Sequence, residues 1–210
     1  MKKLLVIIYF LTYLLSVNFV FAENNFSNKE KEIIKKVNKY FFELKTIKSN
    51  FIQYSDFDGS VAEGIFYILK PNKLRFEYTT PFKNLLITNG KITTFYEMDL
   101  DEISNIPTTS TPLSFLLQEK QDLETINSNI LTIEENEDKN LVIKTENIQD
   151  KNKYFIDYIF DKNIENLKGI NFMDENQQSI NLTFFNLNKN IELNKDLFLF
   201  KNPRLYKKRK

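Results

Sequence analysis

Along the chain the apolar positions first recur at helical spacing and then switch to every second residue. Ile33, Ile34, Val37, Phe41 and Leu44 fall on one helical face. Ser27-Asn28-Lys29-Glu30 just before them is a capping box, so the spacing predicts an amphipathic helix from there to about Leu44. Beyond it, alternation predicts strands over Ile47–Tyr54, Val61–Lys70, Lys73–Thr79, Asn84–Thr88 and Lys91–Glu97. Asp58-Gly59 and Asn89-Gly90 supply hairpin turns, and Pro71-Asn72 and Pro81 supply the other breaks. Asn105 to Gln121 interrupts the pattern, with Pro112 placed to open a short helix through Leu117. Five further strands follow, over Ile130–Glu135, Leu141–Glu146, Tyr154–Asp161, Leu167–Met173 and Ile180–Leu187. Pro203 argues against a long final strand, though an edge strand there stays open.

About ten to eleven antiparallel strands with two helices describe a mainly β fold, a barrel or strongly curved sheet with helices placed to cover its open side. Period-two alternation puts Phe66, Ile68 and Lys70 on one face, with Leu74, Phe76 and Tyr78 as the matching set next door. Tyr154, Ile156, Tyr158 and Phe160 share a face, as do Ile180, Leu182 and Phe184. Two readings of this aromatic face compete. It is a filled core, or it is a concave surface that takes an apolar ligand, and periodicity does not separate them.

The first residues change the picture of where the chain works. Met1-Lys2-Lys3, the apolar run Leu4 to Leu15 and the small Ala22 make a secretory signal peptide, with cleavage after Ala22 leaving a single domain over 23–210. The alternative, a membrane anchor, needs about 20 apolar residues, and the uninterrupted core is shorter. Loss of Lys2 and Lys3 takes the formal charge from +1 to about −1, which argues against a nucleic-acid partner.

Composition then removes whole classes of chemistry. There is no cysteine and no histidine, so most zinc sites and the usual nucleophile–base triads are excluded, and no disulfide staples the exported domain. Four glycines, widely spaced, build no phosphate-cradling loop, and no cofactor is expected. A carboxylate- or tyrosine-based isomerase or lyase is the enzyme class left open; Glu63 is the best-placed carboxylate, and an exposed strand residue is its plain alternative. Twenty phenylalanines and ten tyrosines, without one tryptophan, make a large aromatic content for one domain.

Asp56-Phe57-Asp58-Gly59 resembles the start of a calcium loop, but position 67 is Tyr where the loop needs Glu, and a hairpin turn is the expectation. Lys207-Lys208-Arg209-Lys210 is a cationic tail, either solvated or suited to anionic head groups or an acidic partner.

An ordered set of motifs runs from Phe51 to Leu117. It comprises Phe51-x-Gln53, Glu63-Gly64-x-Phe66-x-Ile68-x-Lys70-Pro71-Asn72-Lys73-Leu74-Arg75-Phe76-Glu77-Tyr78, Pro81, Thr88-Asn89-Gly90-Lys91 and Pro112-Leu113-x-Phe115-Leu116-Leu117. The set closely resembles the periplasmic outer-membrane lipoprotein carriers, the LolA family. The resemblance implies an unclosed antiparallel β-barrel under a helical lid, with a hydrophobic cavity between them that holds the acyl chains of a lipoprotein crossing the periplasm. It implies an inner-membrane ATP-driven releasing complex and, if present, an outer-membrane lipoprotein receptor as partners, and a monomeric carrier that is not an enzyme.

The receptor of the same fold needs an acylated cysteine after its signal peptide, so this chain resembles the soluble carrier. The alternative is a periplasmic lipid- or lipoprotein-sensing regulatory module of the same fold. Such relatives usually carry an extra C-terminal domain, and the short stretch after the last strand favours the carrier.

By the same resemblance, Phe66, Ile68, Leu74, Phe76, Tyr78, Phe115 and Leu116 line the cavity, with Phe76 where relatives usually have tryptophan. Lys70 stands where relatives usually have an arginine that hydrogen-bonds the lid. Lysine keeps the charge and loses the planar five-donor fork, so the expectation is a weaker latch. A surface lysine at a strand end before a proline is the alternative.

Overall fold

A computed structural model describes residues 26–108, 117, 122–124, 128–149 and 152–205. The expected signal peptide, Phe115 and Leu116 of the expected lid helix, and the tail Lys207–Lys210 lie outside the described residues.

Helix α1 spans Asn28–Glu43. Its predicted capping box is formed: Ser27 N donates to Glu30 Oε2 at 2.7 Å and Glu30 N donates back to Ser27 Oγ at 3.3 Å. Ile34, Val37, Tyr40 and Phe41 are its buried face, with Leu44 just beyond. Tyr40 joins that face where the spacing had offered Ile33, which is half-buried.

The strands are β1 (Thr46–Ser55), β2 (Val61–Leu69), β3 (Lys73–Thr80), β4 (Asn84–Thr88), β5 (Ile92–Glu97), β6 (Glu102–Pro107), β7 (Ser128–Glu135), β8 (Leu141–Gln149), β9 (Asn152–Phe160), β10 (Leu167–Asp174) and β11 (Ser179–Lys189). They form one antiparallel sheet in the order β6-β5-β4-β3-β2-β1-β11-β10-β9-β8-β7. The chain thus lays down two meanders, and β1 and β11 join them at the centre. The sheet ends in β6 on one side and β7 on the other, so it is not closed.

Ten of these strands follow the predicted alternation, and β6 is an addition. Its sequence, Glu102-Ile103-Ser104-Asn105-Ile106-Pro107, is almost wholly exposed and carries no clean alternation. It forms by pairing along β5, from Glu97 opposite Glu102 to Ile92 opposite Pro107. Pro107 closes the strand where a missing backbone donor costs least.

The tight turns use the residues whose backbone tolerates them. Gly59 and Gly90 have φ of 68° and 99°. The Asp56–Gly59 segment is a hairpin turn, in which Gly59 N donates to Ser55 O at 2.9 Å and Ser60 N to Asp58 Oδ1 at 3.0 Å. Gly64 answers a different need. A Cβ there would lie 2.0 Å from the Glu77 carbonyl oxygen and 2.9 Å from the Phe51 ring, where β2 and β3 shift register.

Register fixes the predicted faces. Phe66 pairs with Phe76, Ile68 with Leu74 and Gly64 with Tyr78, so the two sets do point to one side. Ile47, Ser49 and Phe51 of β1 and Leu182 and Phe184 of β11 continue that inner face across the centre of the sheet. Beyond it lie Ile170, Ile156, Tyr158 and Ile143. No helix among the described residues is long and apolar enough to cross a membrane.

Candidate functional site

The inner face holds two clusters of rings. In the first, Tyr40 and Phe41 of α1 meet Tyr158 and Phe160 of β9 edge-on, with ring centres 5.2 to 5.8 Å apart. Helical spacing brings Tyr40 and Phe41 to the sheet, and alternation brings Tyr158 and Phe160 up to them. Tyr40 Oη accepts a hydrogen bond from Leu167 N at 3.3 Å, and burial pushes its phenol up to about 12. Lys189 Nζ sits 5.0 Å from the Tyr40 ring centre.

The second cluster comes wholly from four adjacent strands, β11, β1, β2 and β3. Phe66 stacks on Phe76 at 5.3 Å and lies 4.7 Å from Phe184. Phe51 stands edge-on to Phe76 at 5.0 Å and to Tyr78 at 5.2 Å. Phe51, Phe66 and Phe76 are each at most 1% exposed, as are Ile68 and Leu74 beside them. The Tyr78 hydroxyl donates to Gln53 Oε1 at 3.0 Å, and burial pushes this phenol up to about 12 as well. Each buried ring or branched side chain is worth roughly 1.5–3 kcal/mol of hydrophobic stabilisation.

Between the clusters stands Lys70. It is 9% exposed, not the surface lysine of the plainer expectation. Its Nζ donates to the Phe41 carbonyl oxygen at 3.0 Å and lies 5.9 Å from the Phe41 ring centre. Phe41 O is one of the carbonyls that the last turn of a helix leaves without a partner, and a cation is favoured there. Burial first, and the charge of Lys45 second, bring the Lys70 amine down to about 8.

Two asparagines contact the segment after β6. Asn38, half-buried on α1, donates from Nδ2 to Asp122 Oδ1 at 2.8 Å and accepts from Leu123 N at 3.0 Å. Asn72, in the turn from β2 to β3 with φ of 69°, donates its backbone N–H to Leu117 O at 3.0 Å. Leu117 and Leu123 are both buried. Gly90 explains why the β4–β5 turn matters here: a Cβ at Gly90 would lie 2.5 Å from Asn72 Cβ. The Asn72 and Asn89-Gly90 motifs are therefore one contact. A polar residue inside an amphipathic pattern was the available signal for Asn38, and it is a weak one.

Of the expected cavity residues, Phe66, Ile68, Leu74, Phe76 and Tyr78 share the inner face, and all but Tyr78 are fully buried. Glu63 is an exposed residue of β2. No cluster of three or more acidic side chains among the described residues has metal-binding geometry.

Residues 43–201 match the family model described as outer membrane lipoprotein carrier protein LolA. The chain belongs to this family. Among curated relatives, an uncharacterized protein of Rickettsia prowazekii is 26% identical over 165 residues, covering 78% of this chain and 75% of that one. An outer-membrane lipoprotein carrier protein of Coxiella burnetii is 26% identical over 115 residues, covering 50% of this chain and 54% of that one. Among solved structures, a DUF1329 family protein of Desulfovibrio piger superposes with a TM-score of 0.50 at 9% identity, covering 80% of this chain and 96% of that one. That likeness shows the fold alone.

Proposed function

We propose that this LolA-family chain is a periplasmic carrier that takes up the acyl chains of lipoproteins released from the inner membrane and delivers them to the outer membrane. One observation carries the reading. Five rings from four adjacent strands, Phe51, Phe66, Phe76, Tyr78 and Phe184, gather on the inner face of a sheet that does not close. In this reading the first 22 residues export the chain, and Phe66, Ile68, Leu74, Phe76 and Tyr78, with Phe115 and Leu116, receive the cargo.

The energetics suit the task. Each buried methylene is worth about 0.8 kcal/mol, so a lipoprotein leaves a bilayer only for a comparable apolar surface. In the free protein the rings bury one another, and cargo has to displace those contacts. Net affinity is then a difference, small enough to permit delivery. In this reading loading also loosens the described ties beside this face, namely the Lys70 bond to Phe41 O, the Asn38 bonds to Asp122 and Leu123, and the Asn72 bond to Leu117. The energy for that step comes from the ATP-driven partner at the inner membrane.

The test uses inner membranes that retain newly made lipoproteins and their ATP-driven releasing complex. The expected result is ATP-dependent appearance of a soluble complex of the mature protein with a lipoprotein, seen by gel filtration and intact mass. Failure of release, in membranes that support release by a known carrier, would replace this reading with a lipid-sensing module of the same fold.

A further inference from the structure

The opposite, outer face of the sheet carries a pocket. Beyond β11 the chain turns back, and the segment Asn194–Pro203 lies across the outer side of β3, β4 and β5. Alternation explains the floor. Leu85 and Ile87 face away from the ring clusters, opposite Tyr96 and Thr94 of β5, yet both are buried. Phe198, 3% exposed, closes the 3-10 turn Lys195–Phe198 and anchors the segment.

Two arginines fasten it. Arg75 Nη1 donates to Leu197 O at 2.9 Å while its Nε pairs with Glu77. Arg204 donates to Asp101 O and pairs with its carboxylate at 3.8 Å. Between segment and sheet remains a pocket of about 500 Å³.

Its walls are Leu85, Tyr96, Met98, Leu197, Leu199 and Phe200. Tyr96 and Phe200 meet edge-on at 5.8 Å, fixing one end. Leu199 and Met98 stay 56% and 40% exposed although they line a concavity, so apolar area there is left uncovered. The charged lining residues are Arg75, Lys201 and Asp196. Arg75 is engaged with Glu77 and the Leu197 carbonyl, whereas Lys201 is exposed and offers an ammonium to a ligand.

We propose that this outer pocket is a binding site for a single-chain amphiphile with one carboxylate, a fatty acid in its simplest form. The volume falls within the range of small-ligand pockets, about 300–1,000 Å³, which are mostly apolar with a few polar groups that set orientation. The chain lies along Leu85, Met98, Leu197 and Leu199, and the carboxylate meets Lys201. The sheet separates this site from the inner face, so the two are occupied independently, and the outer site stands whatever the inner face carries.

The absence of tryptophan from the sequence makes the test direct. Phe200→Trp places a single tryptophan in the outer pocket, and Phe76→Trp, in a separate chain, places one on the inner face. The probe is a dibrominated long-chain fatty acid, which quenches tryptophan only near contact. The expected result is saturable quenching of the outer-pocket reporter, weakened at least tenfold by adding Leu199→Asp at a 56% exposed position, with an unchanged circular dichroism spectrum. Lys201→Gln and the methyl ester of the probe each weaken it severalfold. Calorimetry with the parent chain and with Leu199→Asp alone repeats the comparison without the reporter. Quenching confined to the inner-face reporter, or quenching of the outer-pocket reporter that Leu199→Asp leaves unchanged, overturns the site. Equal binding of acid and ester overturns the carboxylate assignment.

Discussion

The two ring clusters lie on one face of one sheet, but they are held in different ways. Phe41 and Tyr40 reach Tyr158 and Phe160 from a separate element, so the first cluster is a helix–sheet joint. It is reinforced by the Tyr40 contact with Leu167 N and by Lys70 on the helix C-terminus. The second cluster is a patch of neighbouring strands whose rings lean on one another. Its positions are fixed by strand register alone, so its rings can part from whatever covers them without undoing the sheet. The difference separates a helix–sheet joint from a strand-borne patch, and the proposed carrier function assigns the exchange of apolar partners to the patch.

The largest expected effect strikes the backbone under the second cluster. Gly64→Ala drives a methyl group into the Glu77 carbonyl and the Phe51 ring. It should cost more than about 4 kcal/mol or prevent folding, and urea denaturation followed by circular dichroism reads it. A near-native midpoint would mean that β2 and β3 have more freedom than the register suggests.

Phe41→Ala empties the helix–sheet joint and should cost about 3–5 kcal/mol in the same assay. The comparison sharpens with Phe76→Leu, which keeps an apolar side chain in the strand patch. It should cost about 1–3 kcal/mol of stability, less than Phe41→Ala, while lowering the yield of lipoprotein complex in the release assay. If Phe76→Leu lowers stability as much as Phe41→Ala and leaves release intact, the division between joint and exchange surface fails.

Lys70→Met leaves the Phe41 carbonyl without its buried donor and should cost about 1–2 kcal/mol, with faster hydrogen exchange in the last turn of α1. The smallest effect is the pH dependence of the same residue. Burial lowers its pKa from 10.5 in the unfolded chain to about 8 in the fold, so between these values the unfolded chain binds more protons. The Lys70 contribution to stability therefore rises through that window. Tyr40 and Tyr78 act in the opposite sense above about pH 10, because burial resists their ionisation. Subtracting the melting curve of Lys70→Met from that of the parent at pH 8 to 10 isolates the lysine. A flat difference would mean that its ammonium is more solvated than its position implies.

Much of this was legible in the sequence. Alternation recovers β1 to β5 and β7 to β11 because most of them set an apolar inner face against a more polar outer one. It misses β6, whose residues are mostly exposed and whose strand conformation is imposed by the edge of β5. Lys70 was legible as a residue on the face of Phe66 and Ile68, and its bond to the end of α1 was not. The outer pocket left a trace that was easy to pass over: Leu85, Leu86 and Ile87 are consecutive and apolar, the mark of a strand covered on both sides.

By itself the sequence determined the class of fold, the capped helix, the hairpin turns and which side chains share a face. These are local properties, set by side-chain period, by backbone preference at glycine and by hydrogen bonds between residues a few positions apart. The tertiary structure decided what each face meets. Only there does Lys70 reach a helix end 29 positions away, Asn38 hold a segment 85 positions away, and Arg75 tie down a carbonyl at a separation of 122. Such contacts depend on how strands order themselves and where a tail folds back, and no local pattern encodes a partner that distant.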